Sequence, residues 1–413
     1  MQDHLKVVSD LLARDEVKKA EVALARYLRG ELDTAHRANA LIFRAKIRLR
    51  NARPDDAIDD LMTSQALMPT SFKQPEMIEL LGDCYLARFE LSSVGFADRD
   101  DTAKAQSYYE LILNNHPDYM NRGWLHYQLG RIMLSNNVVD SAASHFQQAL
   151  LTPSSVSALT AYCYERLGFI AFYESRELNT AKGFLDKAII TYPAAEPRTW
   201  LVQAYILHSR ILRERREYLS AIEAAEAALD IASNNPNNTS GMTEALLMLA
   251  ELLSSLENRT RDVINHLQRF LQTSKKPLGV DVTWSRVYEM LGDAYFKLGQ
   301  YIDASETYET ALHYNPYHPW EQSLYYRIAR SYYQQNAYTE AIEAVERLMA
   351  AANADDEAIR DYRVYDVLGN AQFALGHYPE ARQSYQNALQ VAPSGTEGLE
   401  KIEQYLHLAQ ELS

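Results

Sequence analysis

The sequence predicts an all-α protein made of stacked helix–turn–helix repeats. Two observations carry that expectation. The first is a pattern that occurs twice. Residues 285–318 place Tyr288, Leu291, Gly292, Tyr295, Gly299, Tyr301, Ala304, Tyr308, Ala311 and Pro316 at positions 4, 7, 8, 11, 15, 17, 20, 24, 27 and 32 counted from Ser285. Further on, Tyr365, Leu368, Gly369, Gly376, Tyr378, Ala381, Tyr385, Ala388 and Pro393 repeat that order. The second observation is composition. With 15 glycines and 13 prolines in 413 residues, both fall short of the usual ~7% and ~5%. Collagen-like, Pro-rich and turn-dense all-β readings are therefore poor. The 47% of apolar residues is ordinary for a folded chain and too high for a disordered one.

Each element of the unit has a physical reason. Positions 4, 7, 8 and 11 share one stripe of a first helix, and positions 20, 24 and 27 share one stripe of a second. Small residues at 8 and 20 let the two helices approach closely. The side chains at 24 and 27 fill the space against the next unit. Proline near 32 ends the second helix, because it cannot continue the hydrogen-bond ladder.

This pattern resembles the tetratricopeptide repeat, a helix–turn–helix unit of about 34 residues. On that ruler ten units start near residues 1, 38, 75, 123, 161, 202, 243, 285, 322 and 362, and they make residues 1–395 one array. The mean spacing is about 40, with the extra residues mostly in lengthened joints. The resemblance implies a right-handed superhelical solenoid. Residues 396–413 are expected to form a C-terminal capping helix. Ser394 and Glu397 have capping-box spacing, and Leu399, Ile402 and Leu406 line one face. Residues 233–241 and 272–281 are turn-rich and are the expected weak joints. The third unit carries an insertion near 87–101: Gly82 and Ala105 stand 23 apart where the pattern gives 12. Either that loop folds back on its own repeat, or Val94 and Phe96 anchor a partner.

Several functions are disfavoured by the residues themselves. No apolar stretch approaches the ~18 residues of a membrane span. The charged N-terminal stretch lacks the apolar core of a secretory signal. Cys84 and Cys163 are too few for a disulfide framework or a zinc site, and they sit where small apolar core residues are expected. A cytoplasmic location is the expectation. The net charge of −14 argues against general nucleic-acid binding. No phosphate loop, nucleophile elbow or His-Glu-x-x-His run is present. His313 and His318 flank Pro316 without a third ligand at metal spacing. The expectation is no catalytic residue, no metal and no cofactor.

In the family the groove is lined by first-helix positions 2, 5, 6, 9, 12 and 13. Carried onto this sequence, those positions name Trp124, Tyr127 and Arg131, then Tyr162, Arg166 and Phe169, then Arg210 and Arg213. A second station is expected at Arg286, Tyr326, Arg327, Arg330, Tyr333 and Arg363. Aromatic residues and Arg are the types that dominate binding hot spots, and Arg can grip a carboxylate with two parallel hydrogen bonds. Against this, Phe172 and Tyr173 can pack on a neighbouring helix, and some arginines can pair with Glu165 or Glu214. A further basic run, from Arg44 to Arg53, puts Lys46, Arg50 and Arg53 on one helical face. It reads as a solvated face, as an acidic-peptide contact or as a nucleic-acid contact, the last disfavoured by the net charge and by the lack of interleaved aromatics.

The resemblance implies a non-enzymatic scaffold or adaptor. It would bind an extended or helical segment of another protein, acidic with apolar anchors, in a concave groove. The family's two-carboxylate clamp for chaperone tails is absent: position 5 is never Lys, and position 9 is Asn only at Asn370. The alternative is a sensor that changes conformation when a short signalling peptide binds. Such receptors usually carry an N-terminal output domain, whereas here the repeat spacing starts at residue 1. Self-association through the terminal repeats is a third route.

Overall fold

The computed structural model describes every residue except 1, 15, 93–98, 236, 317–320, 352–359 and 394. Among the described residues there are 21 α-helices and three short 3-10 turns, and no strand. The chain divides into two compact units, residues 1–197 and 198–413. The division falls at neither of the turn-rich segments that the sequence singles out.

In the first unit the helices follow one another in pairs: α1 (Gln2–Ala13) with α2 (Val17–Leu28), α3 (Thr34–Arg50) with α4 (Pro54–Leu67), and α5 (Pro75–Leu91) with α6 (Arg99–Asn115). Next come α7 (Arg122–Ser135) with α8 (Val139–Leu151), and α9 (Leu159–Tyr173) with α10 (Leu178–Thr191). The second unit continues with α11 (Leu201–Glu214) and α12 (Tyr218–Ser233), α13 (Thr239–Leu253) and α14 (Thr260–Thr273), and α15 (Val282–Lys297) and α16 (Tyr301–Tyr314). It closes with α17 (Glu321–Gln334) and α18 (Tyr338–Ala351), α19 (Tyr362–Ala374) and α20 (Tyr378–Val391), and a last helix, α21 (Leu399–Leu412).

In four of the pairs the close approach rests on one kind of contact, an aromatic ring on a glycine. The ring of Tyr308 on α16 lies on Gly292 of α15, where a Cβ would stand 2.5 Å from the ring. Tyr109 lies in the same way on Gly82, Phe146 on Gly130 and Tyr385 on Gly369. The pattern's alanines, among them Ala105, Ala142, Ala304 and Ala381, are fully buried. The tyrosine hydroxyls do not stay buried without partners. Tyr109 donates to Asp83 at 2.8 Å, Tyr308 to Asp293 at 2.7 Å and Tyr385 to Asn370 at 2.9 Å. Each acceptor follows directly on the glycine beneath the ring. The chain turns between the helices through left-handed residues, glycines at Gly299 (φ 75°) and Gly376 (φ 79°). There a side chain would be strained.

The turn-rich joints are capped. Asn238 accepts from the Gly241 amide at the start of α13, and Asp281 accepts from the Trp284 amide at the start of α15. At the C-terminus, Ile402 and Ala409 of α21 pack with Ala381, Tyr385 and Ala388 of α20. This helix begins at Leu399 after the left-handed Gly398, a few residues later than the sequence suggests. Ser394 lies outside the described residues, as do Val94, Phe96 and His318. Part of the insertion is helix, because α5 runs on to Leu91 and α6 starts at Arg99. Cys84 and Cys163 are buried free thiols, each pushed up to about 12 by burial.

One buried carboxylate carries a pH dependence. Glu79 on α5 is 8% exposed and accepts from Asn121 Nδ2 at 2.6 Å and from the Tyr119 hydroxyl. Burial outweighs these donors and pushes its acid up to about 7 from an ordinary 4.5. The folded chain therefore holds this proton more tightly than the unfolded chain does. Stability tied to Glu79 is full below pH 4.5 and is lost as the pH rises through about 7.

Two outcomes are expected. Gly292→Ala drives a methyl into the Tyr308 ring and lowers stability by about 1–3 kcal/mol. Gly183→Ala, mid-α10 with nothing within 4 Å, raises it by about 1 kcal/mol through helix propensity. Urea midpoints of the two variants decide; equal shifts would contradict the ring-on-glycine account. Glu79→Gln mimics the protonated acid. It should flatten the decline in stability between pH 4.5 and 7, a difference on the order of 2–3 kcal/mol at neutral pH. Thermal melts at both pH values, with unchanged slopes, would refute it.

Candidate functional site

The first helices of successive pairs stand side by side, and their facing side chains form a wall in each unit. In the first unit a half-open pocket of about 400 Å³ bridges three of them. Leu86, Phe89 and Glu90 come from α5, Arg131 and Leu134 from α7, and Arg166 and Phe169 from α9. A second opening of about 330 Å³ joins Leu12 on α1, Phe43 and Lys46 on α3, and Leu80 on α5.

Of the wall residues expected from sequence in this unit, Arg131, Arg166 and Phe169 line the larger pocket. Tyr127 does not belong to an accessible surface. It is 9% exposed and is enclosed by Trp124 at 5.3 Å, Phe146 at 5.6 Å and Tyr162 at 6.0 Å between ring centroids. Its position in the repeat is correct for the groove, but neighbouring rings from α8 and α9 close over it. Phe172 is likewise buried and meets Tyr173 edge-on. Tyr162 is half-buried and leans toward Tyr192.

The arginines are held by carboxylates of the protein itself. Arg166 grips the buried Glu165 through two bonds, at 2.5 and 2.8 Å, and lies over the Phe169 ring. Arg131 bonds Glu90 and, at 2.9 Å, Gln128. Gln128 in turn bonds Asp83, whose acid burial pushes up to about 6. In the basic run on α3, Arg44 and Arg48 hold the buried Asp60, Arg53 holds Asp56, and Arg50 donates to the Leu12 carbonyl. Lys46 lies over Phe43, with its ammonium pushed down by burial.

In the second unit, Arg210 pairs with Glu244, and Arg213 with Glu251 at 2.7 Å and Glu214 at 3.5 Å. Arg286 reaches the same Glu251 at 3.0 Å. Arg327 bonds Glu289 and Asp293, both at 2.9 Å. Arg363 is held by Asp361 and lies over Tyr326. Tyr333 packs on Tyr338. Arg330 differs: its guanidinium sits over Phe296 at 4.8 Å and Tyr326 at 5.7 Å. It lines a pocket of about 270 Å³ with Asp293, Phe296, Lys297, Tyr308 and Arg327.

Phe89, Glu90, Phe296 and Lys297 are wall residues that the sequence reading missed. Phe296 and Lys297 occupy groove positions 12 and 13 of their unit and were open to the same ruler. Phe89 and Glu90 were not, since α5 runs past the usual helix end. Among the described residues, no group of three or more His, Cys, Asp or Glu is placed to hold a metal. No described helix is long and apolar enough to cross a membrane.

Comparison with known proteins agrees with the helix pairing. Tetratricopeptide-repeat family models match residues 289–357 and 362–394. No curated protein matches the sequence. Among solved structures, one similar chain is a signal-transduction ATPase with numerous domains from Pyrococcus horikoshii, described as having a tetratricopeptide repeat sensor. It is 15% identical with a TM-score of 0.55, over 91% of this chain and 55% of that one. Another is the apo form of the quorum sensor NprR from B. thuringiensis, 12% identical with a TM-score of 0.53, over 75% of this chain and 85% of that one. A third is the C-terminal part of a TPR repeat-containing protein from Cytophaga hutchinsonii, 17% identical with a TM-score of 0.45, over 68% of this chain and 99% of that one. The fold is thus an all-α repeat solenoid, and residues 289–357 and 362–394 of it match tetratricopeptide repeats.

Proposed function

We propose that this protein is a non-enzymatic interaction scaffold that takes a peptide segment of a partner protein along the wall of its first helices. The observation that carries the reading is the pocket across α5, α7 and α9. Phe89, Leu134 and Phe169 present apolar surface there that the packing of the pairs does not consume, and Arg131 and Glu90 edge it. Rigid aromatic and aliphatic anchors beside a polar rim are what binding hot spots are made of. Because Arg131 and Arg166 already hold carboxylates, this site favours a segment with apolar anchors, and acidic groups would add little to it.

A second reading is a sensor whose conformation responds to a short peptide. It is supported by the fold shared with a chain described as a quorum sensor. Both readings put the ligand on the same wall. They separate on whether binding changes the shape of the molecule in solution scattering.

The test is crosslinking mass spectrometry of partners captured by the full chain. Phe89→Ala with Phe169→Ala removes the anchors and leaves the ion pairs in place. Arg166 is a poor choice for substitution, because its loss would strand the buried Glu165. Capture should fall at least about tenfold in the double variant, with its melting curve still cooperative. Capture at wild-type strength, or crosslinks confined to second helices, would move the site off this wall.

A further inference from the structure

The pocket between α15 and α17, like the opening at Lys46 and Arg50, has more cations than carboxylates in its lining. Its lining carries three cations, Lys297, Arg327 and Arg330, against one carboxylate, Asp293. That carboxylate is already engaged: it accepts from the Tyr308 hydroxyl at 2.7 Å and from Arg327 at 2.9 and 3.0 Å. Arg327 is satisfied in turn, since it also holds Glu289 at 2.9 Å. Lys297 and Arg330 remain. Among the described residues neither meets a carboxylate. Lys297 Nζ donates to the Ser254 carbonyl at 2.9 Å, which uses one of its three donors. Arg330 is exposed and, among the described residues, lies over the faces of Phe296 and Tyr326.

We propose that Lys297 and Arg330 form a seat for an acidic side chain within an extended segment of a partner protein, with Phe296 and Tyr326 as its aromatic floor. The proposal rests on the peptide-binding reading above and assigns its acidic contact to this pocket. Charge complementarity selects the occupant. In a chain of net charge −14, two cations without carboxylates on one opening favour an anion. The rings hold the Arg330 fork in place, so little rotamer freedom is lost when a carboxylate arrives. The pocket is half-open, so a passing segment can lay a side chain into it. It therefore suits an internal Asp or Glu rather than a chain end. The residues also differ from the family's two-carboxylate clamp, whose Lys and Asn positions are not filled here.

The experiment selects random 12-residue peptides on the full chain at about 0.15 M salt, where weak surface attraction is screened. Selected peptides are then measured by fluorescence anisotropy. Lys297→Met and Arg330→Met keep the aliphatic stems and remove the charges; far-UV circular dichroism checks the fold. The expected result is an Asp or Glu at one fixed peptide position. Changing it to Asn or Gln, or making either protein substitution, should weaken binding roughly tenfold, and the combined change should cost little more than one alone. If either variant fails to fold, the peptide substitution reads the same contact in the wild-type protein. Peptides that lose binding on C-terminal amidation instead would assign the pocket to a chain end and overturn the proposal. Peptides that ignore both substitutions but are lost with Phe89→Ala and Phe169→Ala would overturn the seat and leave the peptide-binding reading standing. A selection that yields no binder would overturn both.

Discussion

The contact on which the rest depends is an aromatic ring laid on a glycine. In four of the pairs it sets how near the two helices can come, and it does so by using a position with no Cβ. Where the ring is tyrosine, the same contact reaches further. The hydroxyl passes beyond the glycine and bonds the next residue along, Asp83, Asp293 or Asn370, at a position that belongs to the wall. At Asp293 the chain of bonds continues into the neighbouring pair through Arg327. At Asp83 it continues through Gln128 to Arg131. A packing rule inside the pair thus fixes where polar groups stand on the wall of first helices.

This is also why the fold was readable and the site less so. Gly292, Ala304, Tyr308 and Ala311 are fixed by steric need, and steric need repeats with the unit, so the spacing carries the fold. The wall positions carry no such need, and their spacing says only which residues face outward in an idealised repeat. Tyr127 has the right register and is still buried, because Phe146 and Tyr162 close around it. Arginines are legible on the first helices, but their partners lie about one repeat away: Glu90 for Arg131, Glu244 for Arg210, Glu251 for Arg213 and Glu289 for Arg327. Reading each first helix alone hides such pairs. Reading neighbouring first helices against each other would have exposed the last three, since their groove positions stand side by side; Glu90 lies past the usual end of its helix.

The pairing changes what the positive charges on the wall can do. An exposed ion pair adds little to stability, typically under ~1 kcal/mol. Its larger effect here is to make most of the wall close to neutral and to fix its side chains. A ligand that brought a carboxylate to Arg213 or Arg286 would have to displace Glu251, which serves both. Such an exchange of one carboxylate for another yields little net affinity. Apolar anchoring on Phe89, Leu134 and Phe169 meets no such competition.

Arg330 and Lys297 follow from the same logic by exception. The local carboxylate that could have neutralised them, Asp293, is committed to Tyr308 by the ring-on-glycine geometry and to Arg327 by the neighbouring helix. The contact that builds the pair therefore withdraws the carboxylate from the pocket and leaves two cations beside it. Aromatic faces make this arrangement tolerable, because a guanidinium stacked on rings keeps a favourable environment without a counter-charge. Selectivity for an anion can then arise with no acidic residue having been lost from the wall: the acid is present, and the fold has already engaged it.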